Sequence, residues 1–574
     1  MRSFLANSAF VLGSIVLSHS VMPVAFSQQA DLIIYGANVL KCNPAMDLAE
    51  AVAIKDGRIV AVGTDEEITK RWSDPKKTSL LDAKGQTITP GLTDSHLHFL
   101  GVGQSLQILD LSYAESWQEI VEQVEQASRT LPKGAWIEGR GWHQSKWNKL
   151  PAKQVEGYPD HRTMSDLVPD HPVVLTHASG HALFANAAAM KLADVGPETS
   201  EPAGGEILKD DQGQPIGVFR ENAGSLIRRA QSRANAGMTL EDRREQFRER
   251  VQLASEACRQ YGITSVHDAG SSFFDAREFK RMADEGLLPV RMTVMIRAPS
   301  YVLKDRLGDS RFVGEGNGFL TVRSVKVSID GALGPHGAWL LEPYSDLPTS
   351  RGLNTVGLDE LERVAQLCKK HDWQLCVHAI GDRANREVLD VYEQVLGEDV
   401  DGDHRWRIEH AQHLAPSDIP RFGKLGVIPA MQANHCTSDA IFVPTRLGER
   451  RSVQGAYVWR SLIDAGAIIP NGTDAPVERI DPRVSLFASI TRQLKNGEAF
   501  YPDQCMTRAE ALLSYTLWPA QAAFQESELG SIEVGKRADL VMWDTNLLTC
   551  EPQAILNAEV KRVWIEGVDR SVSE

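Results

Sequence analysis

Two histidines two residues apart, His96 and His98, close the run Pro90-Gly91-Leu92-Thr93-Asp94-Ser95-His96-Leu97-His98. Side chains alternate along an extended chain, so residues at i and i+2 share one face. Two imidazoles on one face make half of a zinc-type site. A surface histidine pair is the bland alternative, but the position of this pair at a strand's end, after Pro-Gly, favours ligation. His378, His410 and Asp474 each end a short apolar run, in Cys376-Val377-His378, Arg407-Ile408-Glu409-His410 and Asn471-Gly472-Thr473-Asp474. Singly they read as satisfied histidines or a capping aspartate. Jointly they recur in order at strand ends, where a barrel gathers side chains around one point. Lys326 lies inside Ser324-Val325-Lys326-Val327-Ser328-Ile329-Asp330, and a charged lysine in a buried strand is costly. An ion pair with Asp330 would relieve it. So would carboxylation: a neutral amine that adds carbon dioxide becomes an anionic oxygen ligand able to bridge two ions, and burial and metal charge favour that amine.

These residues need elements that present strand ends to a common centre. Helical stretches ending at Gly262, Asp372, Gly426 and Gly466 are each followed by an apolar run, the signature of an αβ unit. Eight candidate strands centre on 88–94, 264–268, 291–296, 324–329, 375–378, 407–409, 427–431 and 468–473. The expected fold class is α/β: a (β/α)8 TIM barrel over 89–519, its site at the C-terminal mouth. The gap between the first two strands is too long for one crossover. It implies an insertion over about 112–240 that overhangs the catalytic face. Both chain ends are β-rich, with a hairpin signal at Asp56-Gly57, and neither buries a core alone. Residues 28–88 and 520–574 are expected to pair into one small β-sandwich domain.

The chain has 574 residues, of which 42% are hydrophobic and 24% charged, with a formal net charge of −15. That charge argues against nucleic-acid and anionic-membrane partners and leaves a small molecule as the expected one. Residues 1–27 read as a signal peptide: Arg2, an apolar stretch from Phe4 to Leu17, and Val24-Ala25-Phe26-Ser27 before the cut. The expectation is an exported protein, periplasmic or secreted, free of the membrane after cleavage; a homodimer is the default assembly. Seven cysteines follow the cut with no CxxC spacing, and buried free thiols suit them better than any particular disulfide.

Together the motifs resemble the amidohydrolase superfamily, and within it the YtcJ-like branch (amidohydrolase 3 type) that includes N-substituted formamide deformylases. The resemblance runs through nearly all of the mature chain. It rests on the HxH after Pro90-Gly91, Gly141-Trp142 with Trp147, and Ser179-Gly180-His181 with Asn186. Gly262 to Asp268, Lys326 to Gly334 and His378 to Arg383 also carry it, with Glu409-His410, Gln432 with His435 and Asp439, and Gly472 to Pro476. The resemblance implies His96, His98, Lys326, His378, His410 and Asp474 as metal-site positions, for one or two divalent ions such as zinc. Related branches bridge metals with other groups, which makes Glu221 an alternative ligand. His143 departs from the pattern, since an acidic residue is more usual there.

The expected chemistry is hydrolysis of non-peptide carbon–nitrogen bonds by a metal-activated water, with Asp474 as general base and His181 assisting. Trp142, Gln432, His435 and Asp439 are candidate substrate contacts. The same site would serve an esterase, lactonase or phosphotriester hydrolase. A non-catalytic metal- or ligand-binding protein is the remote alternative, and it would have no need of a base poised at Asp474.

Overall fold

The computed structural model describes residues 29–397 and 402–572. The expected signal peptide over 1–27 lies outside the described residues.

Seven parallel strands form the barrel wall: β1 (Leu92–Leu97), β2 (Ile263–Ser271), β3 (Arg291–Ile296), β4 (Leu320–Ser328), β5 (Gln374–Ala379), β6 (Arg407–His410) and β7 (Ile428–Ala430). They are buried along nearly their whole length, as strands covered on both faces must be. Left-handed caps turn the preceding helices into them. Asp372 ends helix Leu358–His371 at φ 56°, and Gly426 ends helix Ile419–Leu425 at φ 62°.

Two details differ from the sequence expectation. The first strand, expected over 88–94, is two strands. Thr87–Pro90 runs antiparallel to Leu540–Trp543 in a terminal sheet, and the barrel strand begins only at Leu92. Gly91 is the joint, because a Cβ there would stand 2.0 Å from Thr264 Oγ1. The eighth stave, expected over 468–473, is not a regular strand. It keeps a single ladder pair, Met431 with Asn471. Pro470 lacks the N–H that a central strand must donate. The stave still bridges its neighbours: Gly472 N donates to Met431 O at 3.1 Å, and Ser95 N to Asn471 O at 3.0 Å.

The chain ends build two further sheets, one four-stranded and one six-stranded, that share a core of Ile34, Val52, Ile54, Ile88, Leu540 and Trp564. Arg291, at the start of β3, donates to both oxygens of Asp539 at 2.6 and 3.0 Å and ties this unit to the foot of the barrel. Between β1 and β2 the chain forms a six-stranded sheet spanning Leu109 to Glu221, with its own cluster around Trp117, Trp142, Trp147 and Phe184. Helix Leu240–Gln260, opened by a Thr239–Asp242 capping box, returns the chain to the barrel. All seven cysteines are free, five of them buried.

Candidate active site

The alternation of β1 turns Leu97 into the core and leaves His96 and His98 on the other side. β5 ends near His378, β6 ends at His410, and the eighth stave delivers Asp474. One ligand atom from each of His96, His410 and Asp474 lies within 4.8 Å of the others. His98 Nε2 stands 3.3 Å from Asp474 Oδ1, and Lys326 Nζ 3.4 Å from His96 Nε2. The His378 and His410 rings are 4.4 Å apart at their centroids. Of the six residues picked from the sequence, His96, His410 and Asp474 form one group at the C-terminal mouth, with His98, Lys326 and His378 as its neighbours.

The cluster fits a divalent cation. His378 Nε2 and Asp474 Oδ1 are buried without a protein hydrogen-bond partner, which leaves both open to an ion or to a water that an ion would hold. Burial is the main influence on the three buried imidazoles. It lowers His96 to about 4, with Lys326 adding to it, and lowers His378 and His410 well below the usual histidine range. All three are therefore neutral, the ligating form. Burial likewise lowers Lys326 to about 8, which raises the share of free amine. For Asp474 burial acts upward, but the hydrogen bond from His435 and the imidazoles of His98, His410 and His96 around it hold the carboxyl well below the usual range.

The second ring nitrogens are also engaged. His96 Nδ1 meets Glu409 Oε2, and His410 Nδ1 lies 2.7 Å from Gln432 Oε1, so each ring presents Nε2 to the centre. Glu409 itself is gripped by Arg407 Nε at 2.7 Å, and Arg407 Nη1 reaches His267 Nδ1 at 3.0 Å. Asp330 accepts from the N–H groups of Trp339, Ile380 and Gly381 and lies beside His378, and it is not paired with Lys326. Asp94 accepts from Thr473 N and Thr473 Oγ1, pinning the eighth stave to the first. Sequence reasoning passed over Glu409, Arg407 and Asp94. Their only signal was proximity to a ligand in the chain, which does not show where a side chain points. Three residues here, Glu221 (φ 48°), His410 (φ 75°) and Asp474 (φ 56°), hold left-handed backbone conformations that non-glycine residues adopt only at a cost.

The insertion supplies one wall of the pocket above. His143, Lys146, Ser179 and His181 line it, facing Leu333, Ile380, Phe442 and Val477 from the barrel loops. His181 Nδ1 lies 2.8 Å from Glu221 Oε2, and its ring is 5.2 Å from that of His378. Glu221 attends His181 through that oxygen, and its Oε1 is buried without a hydrogen-bond partner. His435 Nε2 lies 3.2 Å from Asp474 Oδ2, and Asp439, which accepts from Tyr457 at 2.8 Å, also lines the pocket. Two expected substrate contacts lie elsewhere. Trp142 is fully buried in the insertion, its Nε1 donating to Leu175 O, because the strand turns it inward and leaves His143 at the pocket. Gln432 stands behind His410.

A parallel barrel with imidazoles and a carboxylate gathered at its C-terminal mouth is the architecture of a metal-dependent hydrolase. Residues 79–568 match the amidohydrolase family, and the chain belongs to that family. It is 31% identical over 531 residues to Protein LONG AFTER FAR-RED 3 of Arabidopsis thaliana, covering 90% of this chain and 88% of that protein. It is 29% identical over 555 residues to the N-substituted formamide deformylase of Arthrobacter pascens, covering 95% of this chain and 99% of that enzyme. An uncharacterised metal-dependent hydrolase from Pyrococcus horikoshii superposes with a TM-score of 0.72 at 25% identity, over 91% of this chain and 99% of its own. The protein is an amidohydrolase enzyme that uses a divalent metal.

Proposed function

We propose that the protein hydrolyses small amides of the N-substituted formamide type, with Asp474 as general base. The observation that carries this is the state of Asp474: Oδ2 is held by His435, while Oδ1 has no hydrogen-bond partner and lies beside His98. One oxygen is fixed and the other is free to take a proton. His96, His98, Lys326, His378, His410 and Asp474 would hold one or two zinc ions, with Lys326 as a carbamate where two are bound. An ion held there lowers the pKa of a bound water and polarises a substrate carbonyl. Asp474 Oδ1 accepts the proton of the attacking water and returns it to the leaving nitrogen. His181, its Nδ1 taken by Glu221, presents Nε2 to the pocket, where it donates to the carbonyl oxygen as charge builds there. The apolar wall of Leu333, Ile380 and Phe442 receives the nitrogen substituent.

Metal analysis of the purified protein, with a panel of formamides, acetamides and matched esters, tests this reading. Zinc bound near one or two equivalents, with amides turned over faster than esters, is expected. Ester turnover alone would move the assignment to an esterase or lactonase on the same site. Export by the 1–27 signal is part of the same proposal; a mature chain still starting at Met1 would contradict it.

A further inference from the structure

Arg140 stands on the inserted strand Ile137–Trp142. A bulge at Gly141 (φ 107°) sets the direction of its side chain. The bulge returns Trp142 to the insertion's own core and leaves Glu138 and Arg140 on the side of the barrel. Glu138 accepts from Gln104 Nε2 at 3.1 Å, on the helix Phe99–Ser105 that follows His98. Arg140 donates to two main-chain carbonyls, from Nε to Pro476 O at 2.9 Å and from Nη2 to Ala178 O at 3.1 Å. Among the described residues it has no ion-pair partner, so its fork serves these carbonyls alone.

Each carbonyl belongs to a turn that carries a residue of the proposed chemistry. Pro476 lies in the turn 474–477, which Val477 N closes onto Asp474 O at 2.7 Å. Ala178 lies in the turn 177–180, which Gly180 N closes onto His177 O at 2.9 Å. His181 follows it directly, its N–H donating to Ser179 Oγ at 3.2 Å. One planar guanidinium therefore spans the segment of the base, from the barrel, and the segment of the carbonyl donor, from the insertion. The neighbouring tie is looser. Lys146 and Glu478 stand 4.0 Å apart at the rim, with 39% and 22% of their side chains exposed, and such a pair holds little.

We infer that Arg140 is a positioning residue: it fixes the separation of Asp474 and His181, so that base and carbonyl donor act on one substrate. This rests on the roles given to those two residues above. The test is a double-mutant cycle of Arg140→Met, His181→Asn and the pair, assayed on whichever amide or ester of the panel wild type turns over fastest. Arg140→Met is expected to lower kcat about 30–100-fold with KM within about threefold of wild type, since a displacement of about 1 Å costs that much. Bound metal is expected to be unchanged. In the His181→Asn background no donor is left to align, and there the same replacement should lower kcat by no more than about threefold. Arg140→Lys keeps the charge but reaches one carbonyl, so it should lose most of the rate as well; it takes the place of Arg140→Met in the cycle if that variant does not fold. Wild-type kcat in the arginine variants, a loss matched by lost metal, or an equal loss in both backgrounds would overturn the positioning role. His181→Asn at the wild-type rate would remove the donor and, with it, the alignment. Ester turnover alone, with the coupling intact, would remove the amide reading and leave Arg140 in its role.

Discussion

Asp474 has to be a carboxylate that stays ionised while buried, and its neighbours provide for that. His435 holds one oxygen, and the imidazoles of His98, His96 and His410 surround the other. Replacement by asparagine keeps the shape and removes the base. Asp474→Asn is expected to retain metal and to lose kcat by on the order of 10²–10⁴-fold, measured by steady-state assay on a formamide. Unchanged turnover would exclude Asp474 as the base. Glu409 works one step back, by fixing which nitrogen His96 presents. Glu409→Gln should weaken metal affinity about 10–100-fold, read by competition with a chromogenic chelator, because such partners tune the ligand they touch. An unaltered affinity would make Glu409 merely a partner of Arg407.

At the scale of elements, the weakest stave carries the most demanding residue. The segment through Asn471 has a single ladder pair, yet it must deliver Asp474 to within reach of His96 and His98. Asp94 compensates by binding the main chain and hydroxyl of Thr473, and Gly472 allows the approach, since a Cβ there would stand 2.5 Å from His96 N. Asp94→Ala would leave three buried donors, His96 N, Thr473 N and Thr473 Oγ1, unsatisfied. It should cost about 2–4 kcal/mol in a denaturant melt and lower metal occupancy. A variant with wild-type stability and full metal would show that the stave is held by other contacts. The regular strands were legible as apolar runs bounded by caps, and Arg291–Ile296 falls where the pattern puts it. The first and last staves were not. Thr87–Pro90 and Leu92–Leu97 form one apolar run in the sequence, and only pairing with Leu540–Trp543 assigns them to different sheets. At the last stave, Pro470 and Gly472 lie inside a run whose hydrophobicity alone suggests a strand.

Over the whole molecule, what the sequence showed and what it hid divide along chain distance. His96, His378, His410 and Asp474 were legible because each ends a local pattern. The pocket was not, since its wall is an inserted sheet whose side chains choose between its own core and the cleft: Trp142 faces the core and His143 the cleft. Burying so many imidazoles also gives the fold an acid liability. Burial, with Arg451 adding, lowers His413 to about 3, and neither of its ring nitrogens has a partner; burial and Arg407 lower His267 likewise to about 3. Below about pH 6.5 the unfolded chain binds a proton at each such histidine and the folded chain does not. Stability therefore holds above that pH and falls as pH drops toward 3, by up to about 1.4 kcal/mol per unit for each histidine. Thermal melts at pH 7.5 and 5.0 should show the loss, and His413→Gln should lessen it; a melt independent of pH would contradict it.

The account stands on convergence at one ion, and anomalous X-ray scattering from a crystal of the purified protein, collected above and below the zinc edge, tests that most directly. The predicted result is one or two peaks within about 2.0–2.3 Å of His96, His410 and Asp474 atoms. A strong peak elsewhere, or those side chains holding no ion in protein supplied with zinc, would contradict it.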